Sequence, residues 1–127
     1  MTHTSITDCF AGTPPRRGYV QAGSTRLSYL EWRDRGRPLM LLHGITGSAR
    51  GWWRAAPALA ARGYHAYALD MPGHGESDET DDHRIENIAA LAGAAMRALG
   101  LEGAAVIGHS WGGATALALA SADEGRS

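Results

Sequence analysis

Apolar positions along this chain change their period several times, and each change predicts an element. Tyr19-Val20-Gln21-Ala22 and Arg26-Leu27-Ser28-Tyr29-Leu30-Glu31-Trp32 flank Gly23-Ser24, and the second arm alternates, which predicts a β-hairpin. Asp34-Arg35-Gly36-Arg37-Pro38 is a polar turn. Leu39-Met40-Leu41-Leu42 is a short continuous apolar run, as expected of a strand covered on both faces. His43-Gly44-Ile45-Thr46-Gly47-Ser48 breaks it, and a helix is predicted from Ala49 to Ala61, ended by Gly63. Tyr64–Leu69 reads as the next strand and Asp70–Ser77 as a Gly/Pro-rich loop. From Asp82 to Leu99 the apolar residues Ile85, Ile88, Leu91, Ala95, Met96 and Leu99 recur at three- and four-residue steps, which predicts an amphipathic helix closed by Gly100. A strand over residues 104–107 and a third helix to about Ser121 complete the pattern.

Strands alternating with helices across short loops imply an α/β architecture with a mostly parallel sheet, an N-terminal antiparallel hairpin and helices on both faces. Residues 1–17, ending in Pro14-Pro15-Arg16-Arg17, read as a flexible lead-in, and residues 18–127 as one domain unit. The net charge of −1 gives no electrostatic reason to expect a nucleic-acid or anionic-membrane partner. All 12 basic residues are Arg. Cys9 is the single cysteine, so no internal disulfide and no Cys-based metal site is expected. The N-terminus lacks the basic start and apolar stretch of a signal peptide, and no run is long enough to span a bilayer, so the expected location is the cytoplasm.

The chemistry concentrates where predicted strands end. Gly108-His109-Ser110-Trp111-Gly112 lies between the strand over 104–107 and the third helix. A G-x-S-x-G run in that setting forces a sharp strand-to-helix bend that lifts the hydroxyl of Ser110 out of the sheet. His43-Gly44-Ile45 follows one earlier strand, and Asp70-Met71-Pro72-Gly73-His74-Gly75-Glu76-Ser77 follows the other. Ligand sites of open parallel sheets gather at those strand ends. In this order the three motifs resemble the HG, D-x-x-G-x-G-x-S and G-H-S-W-G-G signatures of the α/β-hydrolase superfamily. The resemblance runs from about Tyr19 to about Ala120 and corresponds to the N-terminal half of that fold.

That resemblance implies Ser110 as nucleophile and the backbone N–H groups of Ile45 and Trp111 as an oxyanion hole. It gives His43, Gly44, His74, Gly108, His109 and Gly112 supporting places around the pocket, with His109 a buried residue that shapes the elbow. Asp70 is expected to fix its loop by accepting backbone N–H bonds. Ser77 is expected to cap a short helical turn, and Asp81 or Asp82 to cap the second helix. Trp52 and Trp53 are expected to pack on the first helix, His65 to lie in a strand, and His3 and His83 to face solvent. No metal or organic cofactor is implied.

The family draws its acid and its catalytic histidine from later loops, so the chain reads as a domain truncated after the nucleophile helix. The expected activity is serine hydrolysis of an ester-like or other small-molecule carbonyl substrate through an acyl-enzyme, very weak without that histidine. Ser rather than Asp at position 110 disfavours the epoxide-hydrolase and dehalogenase branches. Three other readings stay open: an acyltransferase, lyase or peptidase of the same fold; a non-catalytic binding fragment; and a gene remnant. A truncated sheet would also leave the strand over 104–107 as an edge, which predicts self-association.

Overall fold

The computed structural model describes residues 14–125. Its strands are β1 (Arg16–Ala22), β2 (Thr25–Trp32), β3 (Arg37–Leu42), β4 (Tyr64–Leu69) and β5 (Ala105–Gly108). Its helices are α1 (Ala55–Ala61), α2 (Ile85–Ala98) and α3 (Trp111–Gly125). The five strands form one open sheet in the order β1-β2-β4-β3-β5. β3 pairs in parallel with both β4 and β5, whereas β2 pairs antiparallel with β1 and β4. The sheet is therefore mixed, with its parallel part carrying the three motif loops.

Period-two alternation divides the core between two faces. Met40, Leu42, Tyr67 and Leu69 point to the side covered by α2, where they meet Ile88, Ala92, Ala95 and Met96. Leu39, Leu41, Ala66 and Ala68 point to the other side, against Ala49, Ala56 and Ala60. The alanines on both surfaces of that second layer let α1 approach the sheet closely. Helices thus lie on both faces, as the continuous apolar runs require. Among the described residues no helix is long and apolar enough to cross a membrane.

The hairpin turn falls at Gly23-Ser24, with Gly23 at φ 61 and Ala22 opposite Thr25. β1 starts earlier than the sequence pattern indicated, because Arg16 and Arg17 pair with Glu31 and Leu30. Residues 1–13 of the lead-in, with His3 and Cys9, lie outside the described residues. The helix expected over 49–61 is broken into a 3₁₀ turn at Ala49–Trp52 and the shorter α1. Pro57 explains the break. It lacks an N–H, and its ring would strike the carbonyl four residues back, so it is tolerated only in a first turn. Trp52 packs against the second core layer, while Trp53 lies at the surface with the Arg54 guanidinium over its ring.

α2 starts at Ile85, and its N-cap is Arg84 without a side-chain capping bond, so neither Asp81 nor Asp82 caps it. Asp82 instead accepts the Arg84 N–H at 3.0 Å and pairs with the Arg84 guanidinium at 2.7 Å, forming a turn ahead of the helix. That pairing holds the exposed Asp82 carboxyl down at about 2. The buried stripe of α2 also includes Ala89, Ala92 and Gly93, small residues that bring α3 close; a Cβ on Gly93 would sit 3.2 Å from Leu119.

Candidate active site

Three loops leave the C-terminal ends of β3, β4 and β5 side by side. The bend after β5 is made by two glycines that could not be anything larger. A Cβ on Gly108 would lie 2.1 Å from the carbonyl oxygen of Gly112, and a Cβ on Gly112 would lie 2.2 Å from that of Leu42. Both encounters are with backbone, which has no rotamer by which to yield. Between them Ser110 adopts φ 58, a left-handed conformation that costs a non-glycine residue on the order of 1 kcal/mol or more. Such strain persists only where the surroundings enforce it. Here the His109 N–H bonds the Leu42 carbonyl at 3.0 Å and the Gly112 N–H bonds the His109 carbonyl at 3.0 Å. Ser110 is exposed at the crest of the bend.

The loop after β3 lies against this crest. A Cβ built on Gly44 would stand 3.6 Å from the Ser110 Cβ and 3.3 Å from His109 Nδ1, which places this turn directly beside the bend. Gly44–Gly47 is a β-turn closed by the Gly47 N–H on the Gly44 carbonyl at 2.9 Å. Ile45 is its second residue, and its N–H takes no part in the turn's own bond. Trp111 opens α3, where the first N–H groups have no intrahelical acceptor and carry the positive end of the helix dipole. Ile45 thus follows the glycine that lies against Ser110, and Trp111 follows Ser110 directly at the start of α3.

The histidines hold this arrangement together. His43 is buried; its Nε2 accepts the Met71 N–H at 2.9 Å, and its Nδ1 faces the Gly44 carbonyl at 2.6 Å. His74 directs Nδ1 to the Pro72 carbonyl at 3.0 Å and Nε2 to the Ile45 carbonyl. Its ring lies 5.2 Å from that of His43 and 5.2 Å from that of Trp111. His65 is bonded to Glu31 within the sheet and His83 to Glu79 at the surface. None of these four imidazoles is free to act on Ser110. His109 is exposed rather than buried; among the described residues β5 is an edge strand that pairs only with β3.

Burial holds the His43 pKa below its ordinary 6.5, outweighing the Gly44 bond and nearby Asp70, which favour the charged ring. The sign of the pH effect follows. Below 6.5 the unfolded chain takes up a proton that the folded chain refuses, so stability present above 6.5 declines as pH falls toward the depressed folded value. Urea denaturation on either side of 6.5 should show this loss, and His43→Asn should abolish this component of the pH dependence.

Asp70 anchors the third loop and is 1% exposed. It accepts the Ala49 N–H at 2.7 Å, the Glu76 N–H at 3.3 Å and the Ser28 hydroxyl, as its expected turn-fixing role requires. It also pairs with the Arg17 guanidinium at 2.7 Å, a partner missed while Arg17 was assigned to the lead-in. Ser77 does not cap a helix. Its hydroxyl donates to the Asp70 carbonyl and accepts the Ser28 N–H at 2.8 Å, tying the loop to β2.

An open cavity of about 410 Å³ lies between α2, α3 and the start of β5, lined by Ala89, Met96, Val106 and Leu119 among others. It sits toward the end of β5 away from Ser110 and shares no residue with the motif loops. Among the described residues no group of three His, Cys, Asp or Glu side chains is placed to hold a metal.

A family model described as the alpha/beta hydrolase fold matches residues 37–126. A non-heme chloroperoxidase of Streptomyces lividans is 38% identical over 105 residues, covering 80% of this chain and 38% of that protein. Epoxide hydrolase A of Mycobacterium tuberculosis is 33% identical over 105 residues, covering 80% of this chain and 32% of that protein. The crystal structure of epoxide hydrolase A from Mycobacterium thermoresistibile is 34% identical and superposes with a TM-score of 0.76, over 84% of this chain and 34% of that one. The chain spans about a third of the length of these relatives.

Proposed function

The chain belongs to the α/β-hydrolase family, whose model covers most of it, and from that premise we propose that Ser110 is the nucleophile of an acyl-transfer reaction on a small ester-like substrate. The observation that carries this reading is the strained φ of 58 at Ser110, on a bend that only glycines permit, beside the Gly44 turn. Attack of the hydroxyl oxygen on a carbonyl carbon turns the carbonyl oxygen into an oxyanion. The N–H groups of Ile45 and Trp111 are the donors for it, each contributing roughly 3 kcal/mol to the transition state. The alkoxide leaving group departs with a proton, and the acyl group stays on Ser110.

The relatives include haloperoxidases and epoxide hydrolases. An ester is favoured over an epoxide here because the two N–H donors suit charge developing on a carbonyl oxygen, and because the nucleophile is a hydroxyl. That hydroxyl needs a base to take its proton. His43, His65, His74 and His83 are engaged elsewhere, and among the described residues no hydrogen bond joins His109 to Ser110, so this reading takes its base from outside the described residues, in further chain or in a partner. The test is intact-mass measurement after exposure to an activated aryl ester and, separately, to an aryl epoxide. The expected outcome is a slowly formed acyl adduct on Ser110, lost in Ser110→Ala, with no adduct from the epoxide. An epoxide adduct, or an acyl adduct that survives Ser110→Ala, contradicts the proposal.

A second reading rests on the open side of the sheet. Among the described residues β5 pairs only with β3, and Ile107 and Leu117 are 44% and 73% exposed. An edge strand with unpaired backbone groups and uncovered apolar side chains is a template for another strand. We propose that a second copy of this chain pairs there. Sedimentation should show concentration-dependent association that Ile107→Lys abolishes, whereas a wild-type monomer at every concentration rules this contact out.

A further inference from the structure

The Ile45 N–H is useful only if its peptide faces the right way, and Gly44 does nothing to ensure that. Glycine lacks the Cβ that would resist rotation of the following peptide, so the Gly44–Ile45 plane can flip at small steric cost. The structure supplies the restraint from elsewhere. The Gly44 carbonyl receives the Gly47 N–H at 2.9 Å and faces His43 Nδ1 at 2.6 Å. Because His43 Nε2 accepts the Met71 N–H at 2.9 Å, the proton of the neutral ring resides on Nδ1, and Nδ1 donates to Gly44. No peptide bond in the described residues is cis, and in a planar trans peptide the C=O and N–H point opposite ways. Holding the Gly44 carbonyl on the His43 side therefore fixes the Ile45 N–H on the other side. The next carbonyl, that of Ile45, is held by His74, whose ring stands 5.2 Å from that of Trp111, the residue supplying the second donor.

We propose that His43 is the positioning residue of this turn: through the Gly44 carbonyl it locks the peptide plane that presents the Ile45 N–H, with the Met71 N–H selecting the tautomer that can do so. Its catalytic meaning rests on the proposed oxyanion role of Ile45, but the lock is a property of the folded chain and is tested without any reaction. Burial of His43, which favours the neutral ring, acts in the same direction.

The experiment is measurement of the Ile45 N–H residual dipolar coupling in the weakly aligned, ¹⁵N-labelled 127-residue chain. His43→Asn retains a donor near the Nδ1 position, whereas His43→Gln retains polarity farther out and loses that donor. The expected result is a wild-type coupling that fits the described orientation, is kept in His43→Asn, and averages toward zero in His43→Gln while the couplings of β3 and β4 stay unchanged. A folded His43→Gln protein with an unchanged Ile45 coupling overturns the proposal. If neither variant folds, the imidazole ¹⁵N spectrum of the wild type decides: a protonated Nδ1 with a bare Nε2 is expected, and the opposite tautomer overturns it. Where Ser110 acylates, His43→Gln should slow that step about 100-fold. A Ser110 that never acylates, with the Ile45 coupling still answering to His43, defeats the catalytic reading and leaves the lock standing.

Discussion

Gly112→Ala is expected to destabilise the fold by more than about 4 kcal/mol, enough to prevent stable folding of a unit this size. The new methyl would lie 2.2 Å from the Leu42 carbonyl oxygen and 2.9 Å from that of His43. Relief requires α3 to move away from β3, which opens the bend and releases Ser110 from its left-handed conformation. Gly113→Ala is the control. Its Cβ would meet the Gly108 carbonyl at 3.5 Å, an ordinary contact, and alanine improves helix propensity by up to about 1 kcal/mol. One methyl at adjacent positions should therefore give opposite outcomes in urea denaturation. A Gly112→Ala protein about as stable as wild type would show that the elbow is not packed as described.

Asp70→Ala is the second large effect, expected to cost about 3–5 kcal/mol. Removing this carboxylate strands the Arg17 guanidinium, the Ser28 hydroxyl and the Ala49 N–H, all of which converge on it. Water cannot replace it easily at 1% exposure. Arg17→Ala should cost less. The guanidinium is 23% exposed, so part of its pairing energy is screened, and Asp70 keeps its remaining donors. Denaturation of both variants and the double variant measures the coupling. Equal losses from Asp70→Ala and Arg17→Ala would place the energy in the ion pair alone, contrary to a carboxylate shared among β1, β2 and two loops.

These two sites differ in how visibly they were written in the sequence. The elbow is local: a strand, a bend and a helix within a few residues, with glycines wherever backbone meets backbone. β4 is also local, bracketed by Gly63 and Asp70, and the structure places it at Tyr64–Leu69 as the pattern predicts. The first helix is shorter than its apolar pattern predicts because Pro57 lacks an N–H and fits only in a first turn, so the missing N–H governs where the helix starts. The Asp82 turn competes with capping by the same side-chain chemistry, and sequence alone does not decide between them. The Arg17–Asp70 pair spans strands distant in sequence, so it emerges only once β1 is placed beside β2. The exposure of His109 likewise depends on what lies beyond β5, a tertiary fact that no local pattern encodes.

The central claim is that Ser110 is the reactive group of this chain, and mass-spectrometric mapping after treatment with a fluorophosphonate tests it most directly. The reagent forms a bond from the serine oxygen to phosphorus and expels fluoride, with a tetrahedral oxygen that the Ile45 and Trp111 N–H groups can hold. The account predicts modification at Ser110 in preference to every other serine, slow because no imidazole of the described residues is hydrogen-bonded to it, and absent in Ser110→Ala. Label spread evenly over the serines, or unchanged in amount by Ser110→Ala, would contradict it.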